Sequence, residues 1–129
     1  MKKKTKILII DDEKDFCHFI KMNLESTKRY KVFTSTDGWN GVETAIRKRP
    51  EIILLDIKMP KTDGYEVLKA LKENIDTTSI PVVMLTALKD DASKIKASEI
   101  YCHDYISKPI RMETLISKID GLLFSRRNL

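Results

Sequence analysis

Five short apolar runs alternate along the chain with stretches whose apolar residues have helical spacing. The runs suited to buried strands lie at residues 7–10, 30–33, 52–55, 81–85 and, with a weaker pattern, 104–107. Regular alternation of strand and helix patterns is typical of an α/β protein, in which helices cover both faces of a parallel sheet through right-handed crossovers. We therefore predict an α/β fold with five parallel strands and five helices.

Acidic side chains stand where two of these runs end. Asp11 and Asp12 follow the first run, and Asp56 follows the third. Open parallel sheets bind ligands beyond the carboxyl ends of their strands, so these acids are candidates for one site, together with Thr86 and Lys108 at the ends of the last two runs. Crowded carboxylates raise one another's pKa or bind a cation, and hard oxygen ligands suit Mg²⁺.

Length and composition limit the functional classes. A chain of 129 residues fits one domain, and we expect a single unit over residues 1–129 with basic tails at 1–5 and 125–129. No stretch is apolar enough to cross a membrane or to form a signal peptide, which predicts a cytoplasmic protein. Despite a net charge of +5, we expect no direct contact with nucleic acid, because short basic ends are commonly solvated tails.

Five blocks of residues with chemical interest follow one another in a fixed order. They are Asp11-Asp12, then Asp56 with Met59-Pro60 and Asp63-Gly64, then Thr86-Ala87, Asp104-Tyr105-Ile106 and Lys108-Pro109. The pattern resembles the receiver domain of two-component response regulators, of the single-domain chemotaxis type, over nearly the whole chain. The resemblance implies a flavodoxin-like, doubly wound fold with strand order 2-1-3-4-5.

The resemblance also implies a phosphoryl-transfer site. Asp56 would be the phosphoacceptor, a nucleophilic carboxylate that takes a phosphoryl group from a sensor histidine kinase, a histidine phosphotransfer protein or a small phosphodonor. Mg²⁺ is the implied cofactor. By resemblance Asp12 would bind it directly and Asp11 largely through water, while Asp56 and the backbone carbonyl of Lys58 would complete the protein ligands.

Three further residues have roles implied by the resemblance. Lys108 would pair with Asp56 and then with a phosphoryl oxygen, and its bond to Pro109 is one that family members hold cis. Thr86 would donate its hydroxyl to the phosphoryl group. Tyr105 would be the switch aromatic that swings inward and reshapes the face formed by the fourth helix, the fifth strand and the fifth helix. A downstream protein target would read that face.

Taken singly, the same residues have simpler interpretations. Asp11 and Asp12 are also typical of helix caps and Asp56 of a turn, while Thr86 and Tyr105 suit strand positions for their β-propensity alone. The fourth helical stretch, about residues 91–100, has a thin apolar stripe, which suits either a mobile element or an ordinary exposed helix. Tyr101 departs from the family pattern, in which a glycine often precedes the Asp-Tyr pair.

Three functions remain open. The first is a phosphorelay or signalling protein, not a conventional enzyme, with self-phosphorylation and autodephosphorylation chemistry. The second is the receiver part of a DNA-binding transcriptional regulator whose output domain is absent. The third is a small Mg²⁺-dependent phosphatase with an aspartyl nucleophile. Such phosphatases typically carry an acid two residues after the nucleophile, where this chain has Lys58.

Overall fold

The computed structural model describes residues 3–87 and 102–127. Strands and helices alternate through both ranges as the sequence predicts. The strands are β1 (Thr5–Ile10), β2 (Tyr30–Ser35), β3 (Ile52–Asp56), β4 (Lys58–Met59), β5 (Thr62–Asp63), β6 (Val82–Thr86) and β7 (Asp104–Ser107). The helices are α1 (Lys14–Ser26), α2 (Gly38–Lys48), α3 (Gly64–Glu73) and α4 (Met112–Arg127).

Five of the strands form one parallel sheet in the order β2-β1-β3-β6-β7. Counted along the main sheet alone, this is the order 2-1-3-4-5, so the predicted fold class is confirmed. Strand order reverses next to β1, because β1 pairs with β2 on one side and with β3 on the other. The carboxyl ends of β1 and β3 therefore lie side by side at the place where such sheets bind ligands.

The strands are buried on both faces, which explains their unbroken apolar runs. In β1, Ile7 and Ile9 pack in one apolar layer with α1 and α4, whereas Leu8 and Ile10 pack in the other with α2 and α3. All four side chains are fully buried. Burial of a large aliphatic side chain contributes about 1.5–3 kcal/mol, so the two layers hold the sheet rigidly beneath its carboxyl edge.

Local signals in the sequence set the helix ends. The Asp37 carboxylate accepts a hydrogen bond from the backbone N–H of Trp39 at 2.9 Å, and Asp63 does the same for Tyr65 at 2.9 Å. These bonds satisfy helix N–H groups that have no partner within the helix. Helix α2 ends at Lys48, two residues before Pro50, which could not continue it.

Two features differ from the sequence prediction. A two-stranded antiparallel hairpin, β4 with β5, follows Asp56 and was not expected, because two-residue strands leave no periodic signal. The predicted tails are also shorter, since β1 begins at Thr5 and α4 continues to Arg127. The predicted fourth helix and Tyr101 lie outside the described residues. No helix in the described ranges combines the length and the apolar character that a membrane span requires.

Candidate functional site

Three carboxylates meet at the carboxyl edge of the sheet. Asp11 and Asp12 follow β1, and Asp56 ends the neighbouring strand β3. Each residue offers a carboxylate oxygen, and these oxygens all lie within 4.8 Å of one another. Asp11 is fully buried and Asp56 nearly so, while Asp12 is partly exposed. The three acids that the sequence predicted to share one site therefore lie together in the structure.

Lys108 reaches the same cluster from the loop after β7. Its Nζ donates to Asp11 Oδ2 at 2.9 Å and lies 3.6 Å from Asp56 Oδ1. It also donates to Glu13 Oε1 at 3.3 Å. The backbone N–H of Lys108 donates to the carbonyl of Thr86 at 2.7 Å, which ties the loop to β6, and the Lys108–Pro109 peptide bond is cis. The predicted contact with Asp56 is present, but the nearest partner of Lys108 is Asp11.

Burial sets the protonation of the site. Loss of water contacts, reinforced by the charges of Asp11 and Asp12 and opposed by Lys108, raises the pKa of Asp56 to about 7. Burial likewise raises the pKa of Asp11 above its ordinary value. Burial alone would lower the pKa of Lys108, but its bond to Asp11 and the neighbouring carboxylates raise it instead. One ammonium therefore offsets only part of the negative charge gathered here.

The donor set fits a hard divalent cation. Three carboxylates at the ends of two adjacent strands supply oxygen ligands. Burial, together with the charges of Asp11 and Asp12, raises the pKa of Asp56, and a bound cation would favour its ionised form. The backbone N–H of Lys58 donates to the Asp56 carboxylate, which brings the Lys58 backbone next to the acids, while its side chain is exposed. The use of the Lys58 carbonyl as a ligand stays a prediction.

Asp12 and Asp56 line an open cleft of about 610 Å³, together with Glu13 and Lys108. The hairpin forms part of its wall through Lys58, Met59 and Pro60. Gly64 holds the end of this hairpin against β3: a Cβ added there would lie 2.3 Å from the backbone oxygen of Asp56. A side chain at that position would therefore push against the backbone that carries the phosphoacceptor candidate.

Thr86 and Tyr105 lie on the neighbouring strands β6 and β7. The Thr86 side chain is buried, and its hydroxyl donates to the carbonyl of Ile106 at 3.4 Å. Tyr105 is half-buried against the apolar layer that contains Met84, its register partner on β6. In this structure the Thr86 hydroxyl therefore contacts β7, and its predicted role toward a phosphoryl group stays a prediction.

A scan against protein families matches residues 7–120 to the response regulator receiver domain. The chain belongs to this family. The DNA-binding dual master transcriptional regulator RpaA of Synechocystis is 36% identical over 92% of this receiver, which covers 48% of RpaA. A CheY-like receiver domain protein from Methanospirillum hungatei is 32% identical with a TM-score of 0.83, and the match covers 98% of this chain and all of that one.

A second solved structure extends the comparison. It is the receiver domain of the sensor histidine kinase PA1611 from Pseudomonas aeruginosa, which has a magnesium ion coordinated in its active-site cleft. It is 25% identical with a TM-score of 0.82, over 92% of this chain and 97% of that one. This receiver spans about half the length of the curated relatives that it matches. Such receiver domains are parts of signalling proteins.

Sequence reasoning missed one side chain of the receiver site, that of Glu13. Its carboxylate reaches Lys108 across the cleft, although the residue is largely exposed. A glutamate next to two aspartates carries no periodic or spacing signal of its own. Its position immediately after the Asp11-Asp12 pair, in the loop between β1 and α1, is the one feature that could have indicated it.

Proposed function

We propose that this receiver accepts a phosphoryl group on Asp56 and passes the signal on through its surface. The observation that supports the proposal best is the placement of Asp56: its carboxylate is nearly buried, lines an open cleft and lies 3.6 Å from the Lys108 ammonium. A nucleophile in this setting has a cation ready for the charge that develops on the transferred oxygens.

The proposed reaction is a single displacement at phosphorus. A carboxylate oxygen of Asp56 forms a bond to phosphorus, the bond between phosphorus and the donor's imidazole nitrogen breaks, and the histidine leaves with that electron pair. Lys108 then pairs with an oxygen of the transferred group. Phosphoryl transfer needs mainly positioning and charge neutralisation from the protein, which these residues are placed to supply.

The proposed cofactor is Mg²⁺, held by Asp11, Asp12, Asp56 and the carbonyl of Lys58. When bound, it would neutralise charge on the phosphoryl oxygens. The magnesium ion in the receiver of PA1611 supports this assignment, since the two chains share a fold and this chain places three carboxylate oxygens within 4.8 Å of one another. Ligand carboxylates must be ionised, so the affinity should fall as the pH drops through the pKa of Asp56, about 7.

The proposed readout is a shift between two states. The Thr86 hydroxyl would leave the Ile106 carbonyl for a phosphoryl oxygen, and Tyr105 would move toward the space that Thr86 gives up. Phosphorylation adds between one and two negative charges and strong acceptors, which would favour the state that satisfies them. The downstream partner would bind the face of the predicted fourth helix, fifth strand and fifth helix, of which β7 and α4, the fifth strand and fifth helix, lie in the described residues. The cytoplasmic location likewise stays a prediction.

The test uses a small phosphodonor. Incubation with acetyl phosphate and Mg²⁺, followed by intact-mass spectrometry, should add one phosphoryl group, and a chelator should prevent the addition. Asp56→Asn should abolish it. Asp63→Asn is a matched control, because Asp63 lies a few residues along the chain, is exposed and caps α3. Equal labelling of Asp56→Asn and the unmodified protein would mean that Asp56 is not the acceptor.

The relatives favour a second candidate for the protein as a whole. RpaA is named a DNA-binding regulator, and this receiver covers about half of it, so the same kind of receiver also works as one part of a longer transcriptional regulator. Electrophoretic mobility shift with the full-length gene product, before and after phosphorylation, distinguishes the two. The phosphatase alternative gains no support, since Lys58 occupies the position where such enzymes carry an acid.

A further inference from the structure

Glu13 occupies the N-cap position of α1 without capping the helix. Its side chain makes no capping hydrogen bond, although an N-cap residue normally satisfies a free helix N–H. The carboxylate extends to Lys108 instead and accepts a hydrogen bond from Nζ at 3.3 Å. The Glu13 side chain therefore leaves the start of α1 uncapped and faces the site.

The contacts of Lys108 are divided among three carboxylates. Asp11 is the closest at 2.9 Å, but its two oxygens are already engaged, since Oδ2 accepts from Lys108 and Oδ1 accepts from the backbone N–H of Glu13 at 3.0 Å. Asp56 Oδ1 is the most distant at 3.6 Å. The Phe16 ring lies 4.6 Å from Nζ. The ammonium is therefore held closer to the β1–α1 loop than to the phosphoacceptor.

Glu13 differs from the other two carboxylates because it lies outside the metal-binding group. The group of mutually close acids in the described ranges contains Asp11, Asp12 and Asp56. A cation bound there would draw on the Asp11 and Asp56 carboxylates, whereas Glu13, with a side chain 63% exposed, would keep its charge available. It would then be the carboxylate that competes with the phosphoryl group for Lys108.

We propose that Glu13 is a positioning residue that restrains Lys108 and thereby limits the stability of the phosphorylated state. The inference rests on the proposed function, since it concerns the movement of Lys108 from Glu13 toward a phosphoryl oxygen on Asp56. Glu13 touches no reacting atom. It acts through Lys108, and loss of its contact frees the ammonium to pair with the phosphoryl group.

Three variants separate this contact from the general effect of charge. Glu13→Gln removes the charge, and Glu13→Asp keeps it on a side chain too short to hold the same contact. Asp15→Asn removes one charge from the same turn of α1 at an exposed residue that makes no ion pair with Lys108. The affinity for beryllofluoride with Mg²⁺, measured by fluorine NMR, reports the phosphoryl-bound state without turnover.

Both Glu13 variants should bind beryllofluoride about two- to fivefold more tightly than the unmodified protein, the range expected for one partly exposed ion pair. They should lose a phosphoryl group more slowly by a similar factor, while Asp15→Asn stays near the unmodified value. In metal-free protein, an acylating reagent should label Lys108 faster in both Glu13 variants, as read by peptide mass spectrometry.

The outcomes separate this inference from the proposed function. If Asp15→Asn tightens binding as much as Glu13→Gln while Glu13→Asp does not, the effect is one of overall charge and the positioning role is wrong. Unchanged affinity in both Glu13 variants also overturns it. If the unmodified protein fails to bind beryllofluoride, or if Asp56→Asn still binds it, the proposed function itself fails.

Discussion

The two edges of the sheet carry ion pairs of similar length in very different surroundings. At the carboxyl edge, Lys108 and Asp11 meet at 2.9 Å with side chains 19% and 0% exposed. At the amino edge, Arg49 and Asp76 meet at 3.1 Å with side chains 68% and 39% exposed. Water screens the second pair, whereas the first has lost most of its water contacts. Distance alone therefore says little about what each pair contributes.

The comparison shows where this receiver loses folding stability: at the carboxyl edge, where carboxylates needed for the proposed phosphoryl transfer are buried. Burial of Asp11 and Asp56 raises the pKa of both, so the folded state at neutral pH works against the charge that the site needs. Perturbed carboxylates in a cleft are typical of functional sites. The Arg49–Asp76 pair keeps most of its water contacts and meets no comparable cost. The following predictions test the comparison, from the largest expected effect to the smallest.

Lys108→Met should destabilise the metal-free protein most. Removing one partner leaves two buried carboxylates without their cation, and such changes cost about 3–5 kcal/mol. Urea denaturation at pH 8 measures the loss. Lys118→Met is the control, because Lys118 bonds Asp104 at 2.8 Å with side chains 33% and 36% exposed, and it should lose about 1 kcal/mol or less. Equal losses in the two variants would contradict the comparison.

Gly64→Ala should destabilise the protein by about 3 kcal/mol, the upper part of the range for overpacking. The added Cβ would lie 2.3 Å from the Asp56 oxygen and 2.7 Å from the Ile57 backbone, and backbone atoms yield less readily than side chains. Gly121→Ala is the matched control in α4. Among the described residues, no heavy atom outside the adjacent helix backbone lies within 4 Å of its added Cβ, so it should gain up to about 1 kcal/mol from helix propensity. Thermal unfolding measures both changes.

Asp56→Asn should instead raise the free energy of unfolding of the metal-free protein, by about 2 kcal/mol at pH 8. The gain is smaller than the free energy that corresponds to the whole pKa shift, because a buried amide also loses water. The folded-state pKa of about 7 lies above the ordinary 3.8, so between these values the folded protein holds more protons than the unfolded chain. The contribution of Asp56 to stability therefore falls as pH rises through this window.

Low pH provides the control for Asp56→Asn. Near pH 4 the carboxyl is protonated in the folded state, so most of the advantage of the variant should disappear. Denaturation midpoints at pH 4 and pH 8, with a chelator present, measure the difference. An advantage that stays constant across this range would mean that burial of the ionised carboxylate carries no such cost.

The fold and the grouping of the three acids could be predicted from the sequence for physical reasons. The runs at 7–10 and 52–55 are apolar because β1 and β3 are buried on both faces, and parallel strands place the residues that follow them at one edge. Asp11, Asp12 and Asp56 could thus be assigned to one site before any coordinates. The same strand-end pattern placed Lys108 at this edge, but its pairing with Asp56 came from the family resemblance, because one lysine after a weak strand is otherwise typical of a surface.

The rest depended on contacts that no periodic pattern encodes. The hairpin of β4 and β5 is too short to leave a signal, and its fit against β3 depends on the missing side chain of Gly64. Glu13 follows the acid pair as an apparent helix cap, and its turn toward Lys108 depends on how the β1–α1 loop faces β7. Such contacts arise from tertiary packing and are found only in three dimensions.

The smallest effect should come from Asp76→Ala at the amino edge. The Arg49–Asp76 pair is largely hydrated, and exposed pairs of this kind contribute about 0.2–1 kcal/mol. The loss in urea denaturation should therefore be about 0.5 kcal/mol and should shrink further at high salt, because screening weakens charges that face water. A loss that matches Lys108→Met, or that persists unchanged in 1 M salt, would mean that the amino edge is as tightly coupled as the carboxyl edge. The energetic distinction drawn from burial would then be wrong.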